Sequence, residues 1–466
     1  MPTATTLPLI ILIALLWRLT KGNVLSVVLF TSIFDAASAL NFGKLGVSPW
    51  MVALLVGLAE KVLKGHGPFR LITGINQLAL KLGVSFVLYS AWSGIVFPVI
   101  FAGAPVLSSH DTSPAPLNWN VSNFAQLCYL VACVLVYFVA LTSTREELRS
   151  ALQWYSRGAV TAAVFAFYQL ANAVFHVPYP SPILYSHPGH VIYPAYMIRG
   201  MWRLNGTFPE ASELATYACL GVALLGWDVV TRRFNLPRTV GLGLLIASVF
   251  MTLSTVGYLC LSTIVVTGSV LSLSLVFRQR SFSPQKILMA LLLVGGGVTL
   301  FLTTDARGTV NKVVSSVVLE KKDTSSYRDR SAMNSAAIDT LKDTYFMGAG
   351  WGSARASGLI YGLLANVGVI GVALLAAMLL TICLPLVYSH GSFVHPESAK
   401  TYVKSLFGLM SMLTALLIAG AEPVEPVLWA LIAIATAAYA RGPSNEVAPV
   451  PVTDGRAHFP IALGLS

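Results

Sequence analysis

The chain has 466 residues, of which 56% are apolar and only 11% charged, with a mean hydropathy of +0.74. Soluble domains carry about 25% charged residues, so soluble, fibrous and disordered classes are excluded. The formal net charge of +11 indicates basic loops against anionic lipid rather than a nucleic-acid partner. The composition therefore predicts a polytopic membrane protein.

Long apolar runs recur along the whole chain. A spanning helix needs about 20 apolar residues, and continuous rather than alternating runs favour helices over a barrel. The first two runs are short and fit tilted or re-entrant helices, so an all-α fold with roughly 11–13 transmembrane helices is predicted. The runs lie near residues 7–20, 24–40, 48–63, 72–102, 122–142, 158–176, 208–230, 239–255, 258–277, 287–304, 358–388, 404–420 and 427–440.

Loop charge predicts the orientation. Loops rich in Lys and Arg alternate along the chain with other loops, and the positive-inside rule assigns the basic ones to the cytoplasm. Residues 1–304 then hold the N-terminal and central helices, 305–357 a large, partly helical periplasmic loop, 358–440 the C-terminal helices, and 441–466 a disordered cytoplasmic tail. The basic loops contain Lys61, Lys64, Arg70, Arg145, Arg149, Arg157, Arg232, Arg233, Arg238, Arg278, Arg280, Lys286, Lys400 and Lys404.

Two of the opposite loops, 177–207 and 305–357, carry basic residues against the topology rule. Such residues are expected to be retained for an anionic ligand. The alternative is an ordinary solvated loop whose basic and acidic side chains balance one another.

The first candidate site runs from Arg199 to Ala215. Thr207 fits a helix N-cap followed by Pro209. The free backbone N–H groups at the start of this helix, beside Arg203, suit a diphosphate. Glu210 has two interpretations: it closes a capping box with Thr207, or it is a base at the membrane surface. Glu213 lies on the same helix face as Glu210.

A second candidate is an amphipathic surface helix at 325–341, in which Arg330, Asn334, Ala337 and Leu341 share one face. Its arginines, Arg328 and Arg330, are candidate phosphate ligands. The alternative is an interfacial anchor on lipid phosphates.

A third candidate is the glycine-rich segment 347–358, whose glycines permit close backbone approach. Arg355 there either binds phosphate or snorkels to the interface. His187 and His190 lie in a loop and are weaker base candidates, and no cluster with metal-ligand spacing occurs, so no metal is predicted.

These segments resemble the O-antigen polymerase/O-antigen ligase superfamily of bacterial membrane glycosyltransferases. The run Arg-Leu-Asn-Gly-Thr-Phe-Pro-Glu at 203–210 is similar to the start of that family's central helix. The bend Leu-Ser-Thr-Val-Gly at 253–257, the stretch from Arg330 to Gly352, and Gly-Val-Ile-Gly at 368–371 are similar to three further segments. In ligases the helix after the large loop begins with His. Ser357 stands there in this chain, which favours a polymerase.

The resemblance implies a metal- and cofactor-independent glycosyltransferase of the bacterial inner membrane, with its site facing the periplasm. It would transfer an undecaprenyl-diphosphate-linked glycan onto a second lipid-linked repeat unit, in O-antigen, capsule or exopolysaccharide synthesis. Membrane lipids and a chain-length regulator protein are the other expected partners. Arg203, Arg330 and Glu210 are the predicted catalytic residues, and Arg199, Arg328, Arg355, Glu213 and His187 the predicted substrate-binding residues. The alternatives are a ligase acting on lipid A-core and a lipid-linked oligosaccharide flippase.

Overall fold

Helices form over most of the long apolar runs in a computed structural model, which describes residues 2–43, 45–63, 76–107, 113–198, 200–231, 235–279, 325–388, 396–420 and 423–440. The predicted span at 287–304, the first part of the predicted large loop at 305–324 and the predicted tail at 441–466 lie outside these residues.

Helices dominate the described residues, and three two-stranded antiparallel sheets join them there. The strands are β1 (Leu40–Phe42) with β2 (Leu45–Val47), β3 (Pro105–Val106) with β4 (Ala115–Pro116), and β5 (Tyr196–Ile198) with β6 (Met201–Arg203). The helices are α1 (Thr6–Leu19), α2 (Val24–Thr31), α3 (Pro49–Leu63), α4 (Gln77–Ile100), α5 (Val121–Thr142), α6 (Arg145–Phe175), α7 (Ser181–Leu184), α8 (Ala211–Thr231), α9 (Leu236–Met251), α10 (Thr255–Gln279), α11 (Ser325–Asp343), α12 (Leu359–Tyr388), α13 (Pro396–Ala419) and α14 (Pro426–Ala440).

Six helices in the described part of the chain are long and apolar enough to cross a membrane, namely α4, α5, α6, α8, α12 and α13. Four shorter apolar helices accompany them, within α1, α9, α10 and α14. Large apolar side chains such as Leu7, Val99 and Leu380 are about two-thirds exposed, as expected of helix faces that contact lipid. The architecture is that of an all-α multi-pass membrane protein. The number of spans and the orientation stay predictions.

The second apolar run does not form a spanning helix. Helix α2 has eight residues, all buried, which correspond to about 12 Å. An irregular segment at 32–39 follows, and then the β1–β2 hairpin. Non-helical backbone at membrane depth is tolerated where protein surrounds it, and this run was predicted to be tilted or re-entrant.

Helices α8 and α14 lie in the interior of the bundle. Every residue of α14 from 427 to 437 is buried, which is typical of a helix that is apolar all round. Most of α8 is buried as well. These two helices are therefore enclosed mainly by protein, so any polar group at their ends needs a partner from the chain or a ligand.

Helix α11 has the amphipathic face that the sequence predicts. Ala337 and Leu341 are buried, and the side-chain oxygen of Asn334 accepts a hydrogen bond from the Ser357 backbone N–H at 2.9 Å. The Thr340 hydroxyl donates to the Pro105 carbonyl at 3.3 Å. The helix is thus fixed to the segment before α12 and to β3.

The glycine-rich segment after α11 packs against a break in α12. The backbone N–H groups of Ala349 and Gly350 donate to the carbonyls of Ala365 and Asn366 at 2.7 and 2.8 Å. The Asn366 side chain accepts from the N–H groups of Ser353 and Ala354 at 2.9 and 3.0 Å. The predicted close backbone approach is confirmed.

Gly368 makes this break. Its φ of +61° and ψ of −165° belong to a region that residues other than glycine avoid at a cost of about 1–3 kcal/mol. A Cβ there would also lie 2.3 Å from the Phe346 carbonyl oxygen. We expect Gly368→Ala to lower the Tm of the detergent-solubilised protein by several degrees or to prevent folding.

Gly243→Ala is the matched control. A Cβ at Gly243 in α9 meets no atom within 4 Å, so this variant should keep or raise the Tm. Equal Tm values for the two variants would show that a residue other than glycine causes no strain at position 368.

Candidate functional site

Glu210 lies immediately before α8. Its backbone carbonyl accepts hydrogen bonds from the N–H groups of Glu213 and Leu214 at 3.1 and 3.3 Å, so Glu210 occupies the N-cap position itself. The predicted capping box with Thr207 is wrong: the Thr207 hydroxyl instead donates to the Ile33 carbonyl at 2.5 Å. The turn at 205–210 puts Thr207 one turn too early to cap α8.

Arg203 ends strand β6 and faces Tyr196 across the β5–β6 hairpin. Its Nη1 donates to the Tyr196 hydroxyl at 2.6 Å, and its Nε donates to the Thr252 carbonyl at 3.2 Å. Thr252 lies just after the last residue of α9, where helix carbonyls lack partners. Arg203 is thereby oriented from two sides.

Arg330 reaches the same carboxylate from α11. The Nη2 atoms of Arg330 and Arg203 lie 3.5 and 3.6 Å from Glu210 Oε1. The exposed fractions of the side chains are 25% for Arg330, 19% for Arg203 and 32% for Glu210. These three side chains, which we call the Glu210 cluster, are therefore partly buried and less screened than a surface ion pair. Two guanidinium groups from distant parts of the chain thus converge on one anion.

Further carboxyl groups lie deeper, and we call Asp35, Glu213 and Glu425 the inner carboxyl group. Asp35, Glu210 and Glu425 all interact electrostatically with Glu213, so the inner carboxyl group adjoins Glu210. The Tyr217 hydroxyl donates to Glu425 Oε2 at 2.6 Å, whereas Glu213 Oε2 has no hydrogen-bond partner among the residues that the structure describes. Each of the three side chains is half-buried.

Burial changes the ionisation of two of these groups. Asp35 lies in the irregular segment after α2, and burial raises the pKa of its carboxyl to about 7. Burial likewise raises the pKa of Glu425 to about 7, with the charge of Asp35 acting in the same direction and the Tyr217 hydrogen bond opposing it. Near neutral pH both groups can therefore exchange a proton.

His187 makes a different set of contacts. It is buried, its Nε2 lies 3.1 Å from the Tyr129 hydroxyl, and its ring lies 4.1 Å from that of His190. Burial, then the charge of His190, lowers the pKa of His187 to about 3, and burial lowers the pKa of His190 to about 4. Both rings are neutral near pH 7, and none of the contacts of His187 in the described part of the chain is with Glu210 or its two arginines.

The other predicted ligands lie outside the cluster or outside the described residues. Arg328, two residues before Arg330 on α11, is exposed. Arg355 is exposed too, and its backbone N–H donates to the Leu107 carbonyl at 2.7 Å. Arg199 is not among the described residues. In the part of the chain that the structure describes, no three His, Cys, Asp or Glu side chains are grouped so as to hold a metal ion.

No protein-family model and no curated protein matches this chain.

The arrangement brings together guanidinium groups that can bind an anion and carboxyl groups that can accept a proton. Arg203 has two neutral partners that fix its direction, while among the described residues Arg330 contacts only Glu210 through its guanidinium. An arginine has five N–H donors, so Arg330 has donors for a phosphate oxygen.

The sequence analysis assigned no role to Asp35 or Glu425. Asp35 is the first acidic residue of the chain, and no other occurs before Glu60. An ionisable residue inside an apolar run marks a functional position by default, so that signal was present in the sequence.

We expect Asp35→Asn to change how stability depends on pH. In the folded protein Asp35 releases its proton near pH 7, but in the unfolded chain near pH 4. Stability therefore falls as pH rises through this window and levels off above it. Asp35→Asn should raise the Tm at pH 8 by about 2 °C or more relative to the wild type, with little gain at pH 4.

The measurement is the Tm of the purified protein across pH 4–8. Asp339→Asn is the control, because Asp339 is exposed on α11 and paired with the exposed Lys342. An unchanged pH slope in Asp35→Asn would show that Asp35 is ionised in the folded protein.

Proposed function

We propose that this protein is a polysaccharide polymerase of the bacterial inner membrane. It transfers an undecaprenyl-diphosphate-linked glycan onto a lipid-linked repeat unit at the periplasmic face, for O-antigen, capsule or exopolysaccharide. The convergence of Arg203 and Arg330 on Glu210, at the start of a buried membrane helix, is the observation that supports the proposal. A lipid-linked diphosphate needs cationic side chains at such a position, the end of a membrane helix.

The reaction requires that a leaving diphosphate be stabilised. A sugar hydroxyl of the acceptor attacks the anomeric carbon of the donor glycan, the bond from that carbon to the diphosphate oxygen breaks, and undecaprenyl diphosphate leaves. Arg203 and Arg330 hold the diphosphate as negative charge develops on it. By analogy with oxyanion donors, each such contact contributes about 2.7–4 kcal/mol.

The hydroxyl proton needs an acceptor. Glu210 is the leading candidate, because both ion pairs use its Oε1 and Oε2 takes part in neither. Arg199, Arg328 and Arg355 remain candidate ligands for the diphosphate or the glycan. Glu213 belongs to the inner carboxyl group, which receives the proton after Glu210. The neutral His187 is a weaker candidate base or sugar ligand.

Two other functions predict different phenotypes. A ligase transfers finished chains to lipid A-core, so its loss leaves long lipid-linked chains that are not transferred. A flippase moves lipid-linked units across the membrane, so its loss keeps them at the cytoplasmic face. Loss of a polymerase leaves single repeat units at the periplasmic face.

We expect Arg203→Ala and Arg330→Ala to abolish long chains, with a loss of about 10²–10³-fold in rate. The Lys variants should also lose most activity, because an ammonium group cannot bind phosphate in a bidentate manner. The measurement is the length distribution of the lipid-linked glycan in cells whose only copy of the gene for this protein encodes the variant.

Lys342→Ala is the control for Arg330, since Lys342 lies on the same helix and is 61% exposed. Immunoblots of membranes check insertion. Normal chain lengths in Arg330→Ala would overturn the proposal.

Glu210→Gln tests the proton acceptor. The amide keeps the size and an acceptor oxygen but cannot take a proton, so we expect a loss of about 10²–10⁴-fold in the polymerisation rate of the protein in liposomes. Asp339→Asn should keep the full rate. If Glu210→Gln keeps more than a tenth of the rate, the proton goes directly to the inner carboxyl group and Glu210 only positions the arginines.

A further inference from the structure

A buried glutamine on α6 contacts the segment that joins Arg203 to Glu210. Gln169 is only 4% exposed, and it lies on a helix long and apolar enough to cross a membrane. It precedes Phe175, the last residue of α6, by about 9 Å along the helix axis. An amide at such a position is costly unless the chain provides hydrogen-bond partners for it.

The partners of this amide lie mainly in the turn at Asn205 and Gly206. Gln169 Oε1 accepts hydrogen bonds from the backbone N–H groups of Asn205 and Gly206 at 3.1 and 3.0 Å. Its Nε2 donates to Asn205 Oδ1 at 2.7 Å and to the Tyr185 hydroxyl at 2.9 Å. The Tyr185 hydroxyl in turn donates to the Gly206 carbonyl at 2.7 Å. Gln169 therefore holds both residues of the turn, one of them also through Tyr185.

The turn packs tightly against α6. Gly206 has a φ of +59°, and a Cβ there would lie 3.4 Å from the Ala162 carbonyl oxygen and 3.5 Å from the Ala166 Cβ. Both residues of the turn are buried, and buried backbone N–H groups without a partner are costly. Loss of the Gln169 amide would therefore force the turn to rearrange.

Such a rearrangement would move Glu210 more than Arg203. Arg203 is held separately, by the β5–β6 hairpin and the end of α9. Glu210 follows the turn instead, and Asn205 Nδ2 closes that turn by donating to the Phe208 carbonyl at 2.5 Å. The position of the Glu210 carboxylate relative to the arginines thus depends on the contacts of Gln169.

We propose that Gln169 is a positioning residue, which holds the Glu210 carboxylate at the two arginines through the turn at Asn205 and Gly206. This role rests on the proposed function, in which Glu210 accepts the proton of the attacking hydroxyl. A misplacement of about 1 Å that originates away from the reacting atoms can cost about 10²-fold in rate.

The test is a double-mutant cycle on the full-length protein in liposomes, with lipid-linked repeat units extracted from cells that lack it. Gln169→Met keeps the length of the side chain but removes its hydrogen bonds, and we expect a loss of about 10²-fold in the polymerisation rate. Added to Glu210→Gln, it should lower the rate no more than about twofold further, because both changes act on the same proton acceptor. Losses that multiply would mean a merely structural role and would overturn the proposal.

Leu54→Ala is the matched control. Leu54 is buried on α3, so its truncation lowers the Tm by leaving a cavity, and any loss of rate should multiply with that of Glu210→Gln. If immunoblots show that Gln169→Met is not inserted, Gln169→Asn replaces it. That variant keeps the amide but withdraws it from the turn by one methylene, and it should lose about tenfold in rate with the same lack of additivity.

The possible failures are distinguishable. A wild type that does not extend the repeat units would overturn the proposed function and the role of Gln169 with it. A Gln169→Met variant that keeps the full rate while Glu210→Gln is slow would overturn the positioning role alone.

Discussion

Two buried helices that begin close together impose the main constraint on this structure. The first N–H groups of a helix have no partner within it, and α8 and α14 both begin inside the bundle. A glutamate precedes each of them, Glu210 and Glu425, and the Tyr217 hydroxyl of α8 donates to Glu425. A carboxylate suits the partial positive charge at a helix start, but charges in apolar surroundings need further partners. The arginines and the tyrosine provide them.

The two arginines reach Glu210 by different structural means. The β5–β6 hairpin and the end of α9 orient Arg203 locally. Arg330 depends on long-range packing instead, because α11 is fixed through Asn334 to the segment before α12, and the glycine-rich segment that follows α11 is fixed to the break at Gly368. The glycines therefore act on the Glu210 cluster indirectly, by setting the position of α11, and a phosphate-binding role for this segment itself is not needed to explain them.

Much of this arrangement follows from sequence patterns, and its exceptions have physical reasons. Hydropathy predicts helices such as α4, α5 and α8, and the 3.6-residue period predicts the buried face of α11. The capping box failed because a Ser/Thr-x-x-Glu pattern says nothing about tertiary partners, and Ile33 offered Thr207 a carbonyl. Asp35 was missed because its neighbours in the site lie far away in sequence. That two guanidinium groups share one oxygen of Glu210 depends on packing that no local pattern encodes.

The proposed diphosphate would find a carboxylate already bound to the two arginines. Glu210 already contacts both arginines, so the diphosphate of the proposed donor would compete with this carboxylate and bind with a lower net affinity. Such competition suits a substrate that must leave after each transfer, since tight ground-state binding does not raise the rate.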